Sequence, residues 1–481
     1  MRSIGIILVF VLHFFTLHSQ ENMGIANSNF SPTNTIFLNP SSSADSKAFI
    51  DFNIIGASNY VLNDYAYFND NLLAIYREGA AGNETEPRYD LGAAPFSAYV
   101  DVQIHGPSLS VSYGKFGGGL FMNLRSVASI SGVPAHLANH ATNGFDFEDQ
   151  LGNEYTTINA NIGSLSWLEY GVNFSYIISQ SSLDMYTLGG SLKYLNGLAG
   201  AGINVQKWDY QVQNDSILNS FEFEGEYGLP NIPADQTGAS GLLGNGSGVG
   251  LDLGFNYKKM KKSTQGYLPH AAGQCKLKDY QYKFGLSLLD IGSIGIKNGF
   301  YREFSIEDSV VWENYGGADP EEVVEIDELV NKELLRFSND SESSSYRMAL
   351  PTALSAQFDY NFGKGFYANS TLVHGFSRKR KLGIKKSSTF SITPRYERRQ
   401  LEVALPLTIQ NYQKLRLGAA IRIYSVIFGT DNLGGLMGRG RTYGADFYFS
   451  FKYTMFKPWY CKEKLKRAPK RKKAGVACPI W

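Results

Sequence analysis

The constraint that narrows this chain most is a two-residue period that recurs from Ala48 almost to the C-terminus. Its last instance, Tyr443–Met455, sets Tyr443, Ala445, Phe447, Phe449, Phe451, Tyr453 and Met455 on one face and Asp446, Ser450 and Lys452 on the other. Successive side chains of a strand point to opposite faces, so such a segment needs an apolar medium on one side and a polar one on the other. A row of outward apolar positions this long, five of them aromatic, exceeds what a half-buried soluble strand presents and suits hydrocarbon outside and water or protein inside. The pattern repeats. Ala48, Ile50, Phe52 and Ile54 oppose Asp51 and Asn53, and Ala98, Val100, Val102 and Ile104 oppose Asp101, Gln103 and His105. Leu168, Tyr170, Val172, Phe174 and Tyr176 oppose Glu169, Gly171, Asn173 and Ser175, and Leu251–Tyr257 follows the same scheme with Asp252, Gly254 and Asn256.

With Ser108–Tyr113, Leu120–Ile130, Met185–Tyr194, Ile203–Val212, Tyr280–Leu288, Ala349–Phe362, Phe366–His374, Thr389–Tyr396, Leu401–Ile409, Leu415–Tyr424 and Val426–Asn432, the count is about sixteen segments. The expected fold is all-β: a transmembrane antiparallel barrel with an even number of strands, about fourteen to sixteen. A break at Tyr424-Ser425 keeps the long loops on one side and makes Phe362–Gly365 a short turn on the other. Composition agrees. Charged residues are 19%, below the usual quarter; Tyr 30 and Phe 31 suit strands and aromatic girdles, and Gly 50, many of them with Ser on the inward face, are expected to keep the lumen open. Mean hydropathy is −0.21 and no apolar run after the N-terminus reaches the length of a spanning helix, which excludes a helical membrane protein and leaves a barrel open.

At the N-terminus Arg2 precedes the apolar run Ile4–Leu12, then Phe14-Phe15, and polar Gln20-Glu21-Asn22 follow Ser19. This reads as a cleaved signal peptide over 1–19, and hence as export to the cell outer membrane. Residues 20–47, rich in Asn, Ser, Thr and Pro, favour irregular backbone, tolerable at membrane depth only inside a protein-lined cavity. Phe30, Ile36, Phe37 and Leu38 give them an apolar side. They are expected to form a plug, with the barrel over 48–456 and a basic periplasmic tail over 457–481. Between Arg302 and Glu342 stand thirteen acidic residues and three basic ones. Asp319-Pro320-Glu321-Glu322, followed by Val323, Ile326, Val330, Leu334 and Phe337 on one face, predicts a short amphipathic helix over 320–337 in a long extracellular loop.

Catalytic patterns are absent: there is no GxSxG, HExxH, CxxC or GxxxxGK run. The reading is of a non-enzyme with no cofactor, no metal and no nucleic-acid partner. His136 and His140, near Asp146, Glu148 and Asp149, are read as a solvated irregular loop rather than a metal pair. Arg378–Lys381 with Lys385-Lys386 is read first as a solvated loop tip and second as a polyanion site. In the tail, Lys464, Lys466, Arg467, Lys470, Arg471, Lys472 and Lys473 offer short-range attraction to an envelope protein or cell-wall partner. Cys461 and Cys478 either close a disulfide there or stay unpaired in a disordered tail.

Asn39-Pro40-Ser41-Ser42-Ser43-Ala44-Asp45-Ser46, Gly285–Gly292, Leu350-Pro351-Thr352 and Phe428-Gly429-Thr430-Asp431-Asn432-Leu433 resemble an uncharacterised Bacteroidetes outer-membrane barrel family. More distantly, the chain is similar to long-chain fatty-acid transporters (FadL-like) and to PorV-type barrels of protein secretion. The resemblance implies an N-terminal hatch inside the barrel, to which Asn39 and Pro40 belong. Two functional readings follow: a barrel in outer-membrane lipid that passes a small hydrophobic compound, and a partner-binding scaffold tied to secretion or the cell surface. An outer-membrane hydrolase lacks a catalytic set, and a soluble adhesin leaves the aromatic face of the last strand unexplained.

Overall fold

The computed structural model describes residues 22–461 apart from 81–85, 91–94, 145–146, 215, 232–243, 307–308, 314–331, 333–340, 377–380 and 439–440. Fourteen antiparallel strands close into one barrel. In chain order they are β1 Ile50–Asn63, β2 Phe96–His105 continued by Ser108–Tyr113, β3 Phe116–Val133, β4 Glu154–Ser181, β5 Asp184–Val212, β6 Gly246–Met260 and β7 Tyr280–Ile296. The second half comprises β8 Tyr346–Ala349 continued by Ala353–Gly363, β9 Phe366–Gly375, β10 Thr389–Glu397, β11 Leu401–Ala404 continued by Leu407–Gln410, β12 Lys414–Leu417 continued by Ala419–Ile423, β13 Val426–Thr430 and β14 Asp446–Met455. Closure runs through β1, which pairs with β14 on one side, Ile50 opposite Met455 and Tyr60 opposite Asp446, and with β2 on the other. No edge is left there for a second chain to add to.

Two pairs of segments that read separately in the sequence are single strands. Ala98–His105 and Ser108–Tyr113 both belong to β2, interrupted where Pro107 has no N–H to give the ladder. Met185–Tyr194 and Ile203–Val212 both belong to β5, because the glycine-rich stretch between them carries the ladder on rather than turning. The break at Tyr424-Ser425 is a turn between β12 and β13, and Lys364-Gly365 is a turn between β8 and β9.

Gly114-Lys115, Ser182-Leu183, Lys364-Gly365, Arg398–Gln400 and Tyr424-Ser425 make short turns at one end of the barrel. The exception at this turn end is the long connection 261–279 between β6 and β7. Connections at the other end, the loop end, are mostly long. There β4 and β5 run on past the wall paired with each other, and β5 also pairs with an added strand, Ile217–Pro230, which itself pairs with Gly299–Ile306 and Val310–Glu313.

Outward positions form the belt that the period demanded. Leu120, Val172, Leu192, Val249, Leu415 and Phe428 are each more than half exposed. Burying one such side chain is worth roughly 1.5–3 kcal/mol, so an apolar band continuous around the wall belongs in lipid rather than water. Toward the turn end the band becomes an aromatic rim, with Phe116 5.0 Å from Tyr176, Tyr186 5.1 Å from Tyr257, Tyr257 6.0 Å from Tyr282 and Phe366 5.0 Å from Tyr396.

Three expectations fall elsewhere. The helix over 320–337 lies, but for Lys332, outside the described residues, as do 1–21 and the tail from Lys462 onward. His136 and His140 sit on a helix, Ala135–Asn143, not on irregular backbone. The solvated tip expected at Lys385-Lys386 is corrected in part: Leu382 and Ile384 join an apolar cluster inside the barrel and draw residues 382–388 inward, so that Lys386 is buried while Lys385 stays exposed.

Candidate functional site: the filled lumen

Inward residues of the wall are not left facing water, because residues 22–49 lie against them. The segment has two short turns of helix, Pro32–Thr35 and Pro40–Ser43, each opened by a proline whose missing N–H costs nothing at a first turn. Asn39 caps the second through its side chain, which accepts from Ser41 N at 3.0 Å. Its amide then donates to Gln357 Oε1 at 2.9 Å and to the carbonyl of Phe255 at 3.1 Å. Pro40 offers its carbonyl to Asn173 Nδ2 at 3.0 Å, and Ser43 Oγ donates to Asn173 Oδ1 at 2.7 Å. Glycine makes the close approach possible. A Cβ at Gly117 would strike the backbone of Ser43 and Ala44, and one at Gly189 that of Pro40 and Ser41. Inward glycines that suggest an open lumen in the sequence are instead occupied by this backbone.

The segment is held along its length by buried charges of the wall. Asp431 accepts from Met23 N at 2.8 Å and Gly24 N at 3.4 Å. Glu402 accepts from Ser28 Oγ at 2.7 Å, and Glu397 from Asn29 Nδ2 at 3.1 Å. Asp51 accepts from Thr33 Oγ1 at 2.6 Å and from Lys452 Nζ at 2.8 Å. Asp45 takes Lys258 at 2.8 Å. Beneath these contacts the wall's own charges are paired: Arg395 is bidentate on Asp359 at 3.1 and 2.8 Å, and Arg422 Nε donates to Glu402 at 3.1 Å.

A second layer spans the lumen nearer the loop end. Asp290 sits at a bulge in β7, with φ 52, which turns its carboxylate inward to accept from Arg125 of β3 at 3.0 Å and Lys193 of β5 at 2.7 Å. Lys193 also pairs with Asp252 at 2.7 Å, and the Arg125 guanidinium lies 4.8 Å over Trp167. Asn22, Asn34, Phe37, His105 and Lys386 complete a small polar cavity at this level. Above it Tyr99, Val127, Leu165, Trp167, Ile294, Met348, Leu350, Leu382 and Ile384 form an apolar layer. A further apolar group nearer the loop end includes Phe96, Val205, Phe223 and Phe304, with Ala138 of the His136 helix. His136 itself stacks on Tyr155 at 4.5 Å and contacts Thr157 Oγ1 at 3.3 Å. Among the described residues no group of three or more His, Cys, Asp or Glu is placed to hold a metal ion.

Cys461 is bonded to Cys275, with Cα atoms 5.6 Å apart. This corrects the pairing with Cys478: the turn 458–461 carries Cys461 under the barrel to the 261–279 connection, and a thiol bonded there has no second bond to give. Cys478 and Lys464, Lys466, Arg467, Lys470, Arg471, Lys472 and Lys473 lie outside the described residues.

The four runs that carried the family resemblance converge in this lumen. Asn39 and Ser43 dock as described, Ser287 Oγ donates to the Leu38 carbonyl at 2.6 Å, Thr352 Oγ1 donates to the Asp290 carbonyl at 2.8 Å, and Asp431 receives the first amides of the segment. Sequence reasoning missed Asp290, Arg125, Asp431 and Glu402 as anchors. The two-residue period places Glu402 and Arg422 inward, but nothing local tells which strand carries the partner.

The model of the Family of unknown function (DUF5723) matches residues 40–431. No curated protein matches the sequence. Among solved structures the chain is similar to the Ralstonia pickettii toluene transporter TbuX, at 9% identity and TM-score 0.43 over 92% of this chain and 100% of that one. It is similar also to the Pseudomonas putida toluene transporter TodX, at 11% identity and TM-score 0.41 over 92% and 98%, and to a Pseudomonas aeruginosa FadL homologue, at 13% identity and TM-score 0.39 over 92% and 99%.

Proposed function

The chain belongs to the family DUF5723, and we propose that it is an outer-membrane barrel that passes small hydrophobic compounds, with residues 22–49 as the hatch that keeps it closed. The turn end faces the periplasm and the loop end the exterior, following the general rule that outer-membrane barrels carry short periplasmic turns and longer extracellular loops. One observation carries the reading: the lumen is filled by a segment that the wall does not need. Residues 22–48 contribute no strand to the sheet and are held mainly through side-chain hydrogen bonds and ion pairs, whereas β1 to β14 close on one another. Fourteen strands enclose more space than wall side chains alone can fill, so the lumen must hold water, a ligand or a plug, and here a separate segment takes that place. The apolar layer above the hatch gives a hydrophobic solute a place to leave water before it meets the charged level.

Planar-bilayer recording decides it. Deletion of residues 20–47 is expected to convert a closed barrel into a conducting one, and an equally silent deletion variant would remove the hatch. Native purification in mild detergent with mass spectrometry then separates cargo from partner. A co-purified apolar small molecule supports transport.

A second reading, a scaffold that binds an envelope protein or cell-wall partner, is favoured by the loop end. There β4 and β5, of 28 and 29 residues, far exceed the roughly 9–11 residues needed to span. They carry extra strands beyond the membrane, and the basic tail offers this reading a second contact on the periplasmic side. A co-purified protein with no bound small molecule would put it ahead.

A further inference from the structure

Residues 261–279 are the one long connection among the described residues at the turn end, and they do not trail away from the barrel. Tyr267 and His270 are buried. His270 Nε2 contacts the carbonyl of Ser46 at 2.9 Å, and the ring lies 5.6 Å from Phe49. Gly114 N donates to the Pro269 carbonyl at 2.7 Å, which ties the connection to the β2–β3 turn, four strands away around the mouth. Asp279 pairs with Lys47 at 2.8 Å. The connection therefore reaches over the periplasmic mouth and grips the hatch where it leaves the lumen, at Ser46, Lys47 and Phe49. The chain that follows β14 closes over it from outside. Trp459 packs edge-on against Phe49 at 5.8 Å, the Tyr460 hydroxyl donates to the His270 carbonyl, and Cys461 is bonded to Cys275.

We propose that residues 261–279 are a periplasmic lid over the hatch, and that the Cys275–Cys461 disulfide is a latch set by thiol–disulfide exchange with a periplasmic dithiol protein. The two sulfurs are not equally open to attack. Cys461 is buried, whereas Cys275 is half-buried between exposed Gly273 and exposed Lys276. An incoming thiolate attacks Cys275 Sγ, the Cys275–Cys461 bond breaks, and Cys461 leaves as a thiolate and takes a proton. The second thiol of the partner, as thiolate, then displaces Cys275 from the mixed disulfide. The dithiol has been oxidised to a disulfide, the latch has been reduced to two thiols, and the end of the chain no longer ties the lid down.

This extends the hatch reading, and its test is chosen so that the two fail separately. Peptide mapping of the purified full chain is expected to find Cys275 joined to Cys461; a Cys461–Cys478 bond, or three free thiols, overturns the latch. Trypsin cleavage after Lys47 in detergent-solubilised protein is the second readout. It is expected to quicken about tenfold when dithiothreitol is added to folded wild-type protein, and to be equally fast with or without reductant in the Cys275→Ser/Cys461→Ser variant. Unchanged cleavage in reduced wild type overturns the lid, and because that protein folded with its disulfide intact, misfolding of the variant does not blur the result. If deletion of 20–47 opens the barrel while reduction leaves Lys47 protected, the hatch stands and the latch falls. If reduction exposes Lys47 but the deletion variant is silent, the latch stands and the hatch falls.

Discussion

Asp431 shows how much one side chain can decide in a filled lumen. It is buried, and its carboxylate takes two backbone amides at the start of the hatch together with the Tyr448 hydroxyl at 3.2 Å. Replacing Asp431 with Ala leaves those amides without an acceptor, a loss of about 1–3 kcal/mol per buried group. Hydrogen exchange over residues 23–26 is expected to quicken at least tenfold while exchange in β14 stays slow; equal protection in both proteins would show that Asp431 anchors nothing. Gly117 makes the complementary case. A valine there cannot coexist with the backbone of Ser43 and Ala44, so Gly117→Val is expected to displace the hatch and raise conductance toward that of the deletion variant. A silent Gly117→Val barrel would mean that the hatch yields without leaving. Neither role was open to sequence reading. Asp431 shares a short run with Thr430 and Asn432, and its partner lies four hundred residues away.

At the scale of elements, alternation placed the strands well because lipid outside and protein inside impose one rule on every residue of the wall. It failed where the rule pauses. Pro107 interrupts a strand without ending it, and small residues between Tyr194 and Ile203 read as a loop although the ladder runs through them. It failed again at Ala135–Asn143, whose helix owes its place to tertiary packing, with Ala138 in an apolar cluster and His136 on Tyr155. That packing makes the helix sensitive to acid. Burial, with His140 beside it, pushes the His136 imidazole down to about 4, while an unfolded imidazole titrates near 6.5. Between those values the unfolded loop binds a proton that the packed helix does not. The packing is thus at full strength above pH 6.5 and weakens as pH falls toward 4. Burial holds the His140 imidazole of the same helix down as well. Exchange protection of residues 135–143 is therefore expected to drop between pH 7 and pH 4.5 after correction for intrinsic rates, and His136→Phe to weaken the dependence without removing it; a pH-independent wild type would count against this account.

For the whole molecule, the relation between hatch and wall predicts what kind of pore the deletion should leave. Most of the wall's inward charges are in mutual pairs, Arg125 and Lys193 with Asp290, Asp252 and Glu169, Arg395 with Asp359 and Glu397, Arg422 with Glu402, and Lys452 with Asp51, while one cation and one carboxylate, Lys258 and Asp431, are instead engaged by the segment itself. Removing residues 20–47 withdraws Glu21, Asp45 and Lys47, a net loss of one negative charge, together with the amides and hydroxyls that completed these carboxylates' hydrogen bonds. Water can take over those bonds in an opened lumen, so the ion pairs are expected to persist and the barrel to stay folded, with its heat-dependent shift in gel mobility intact. A lumen whose fixed charges cancel in pairs at close range projects little field beyond the Debye length of about 10 Å at 0.1 M salt. The opened channel is therefore expected to be large but poorly selective, with a reversal potential close to zero under a tenfold potassium chloride gradient. A reversal potential approaching the ideal value for either ion would show that deletion had broken the pairs and left one sign of charge facing the pore. The same recording on an Arg125→Met variant of the deletion chain checks the argument from the other side. Loss of that guanidinium strips Asp290 and Glu169 of a cation, so its selectivity should move toward cations.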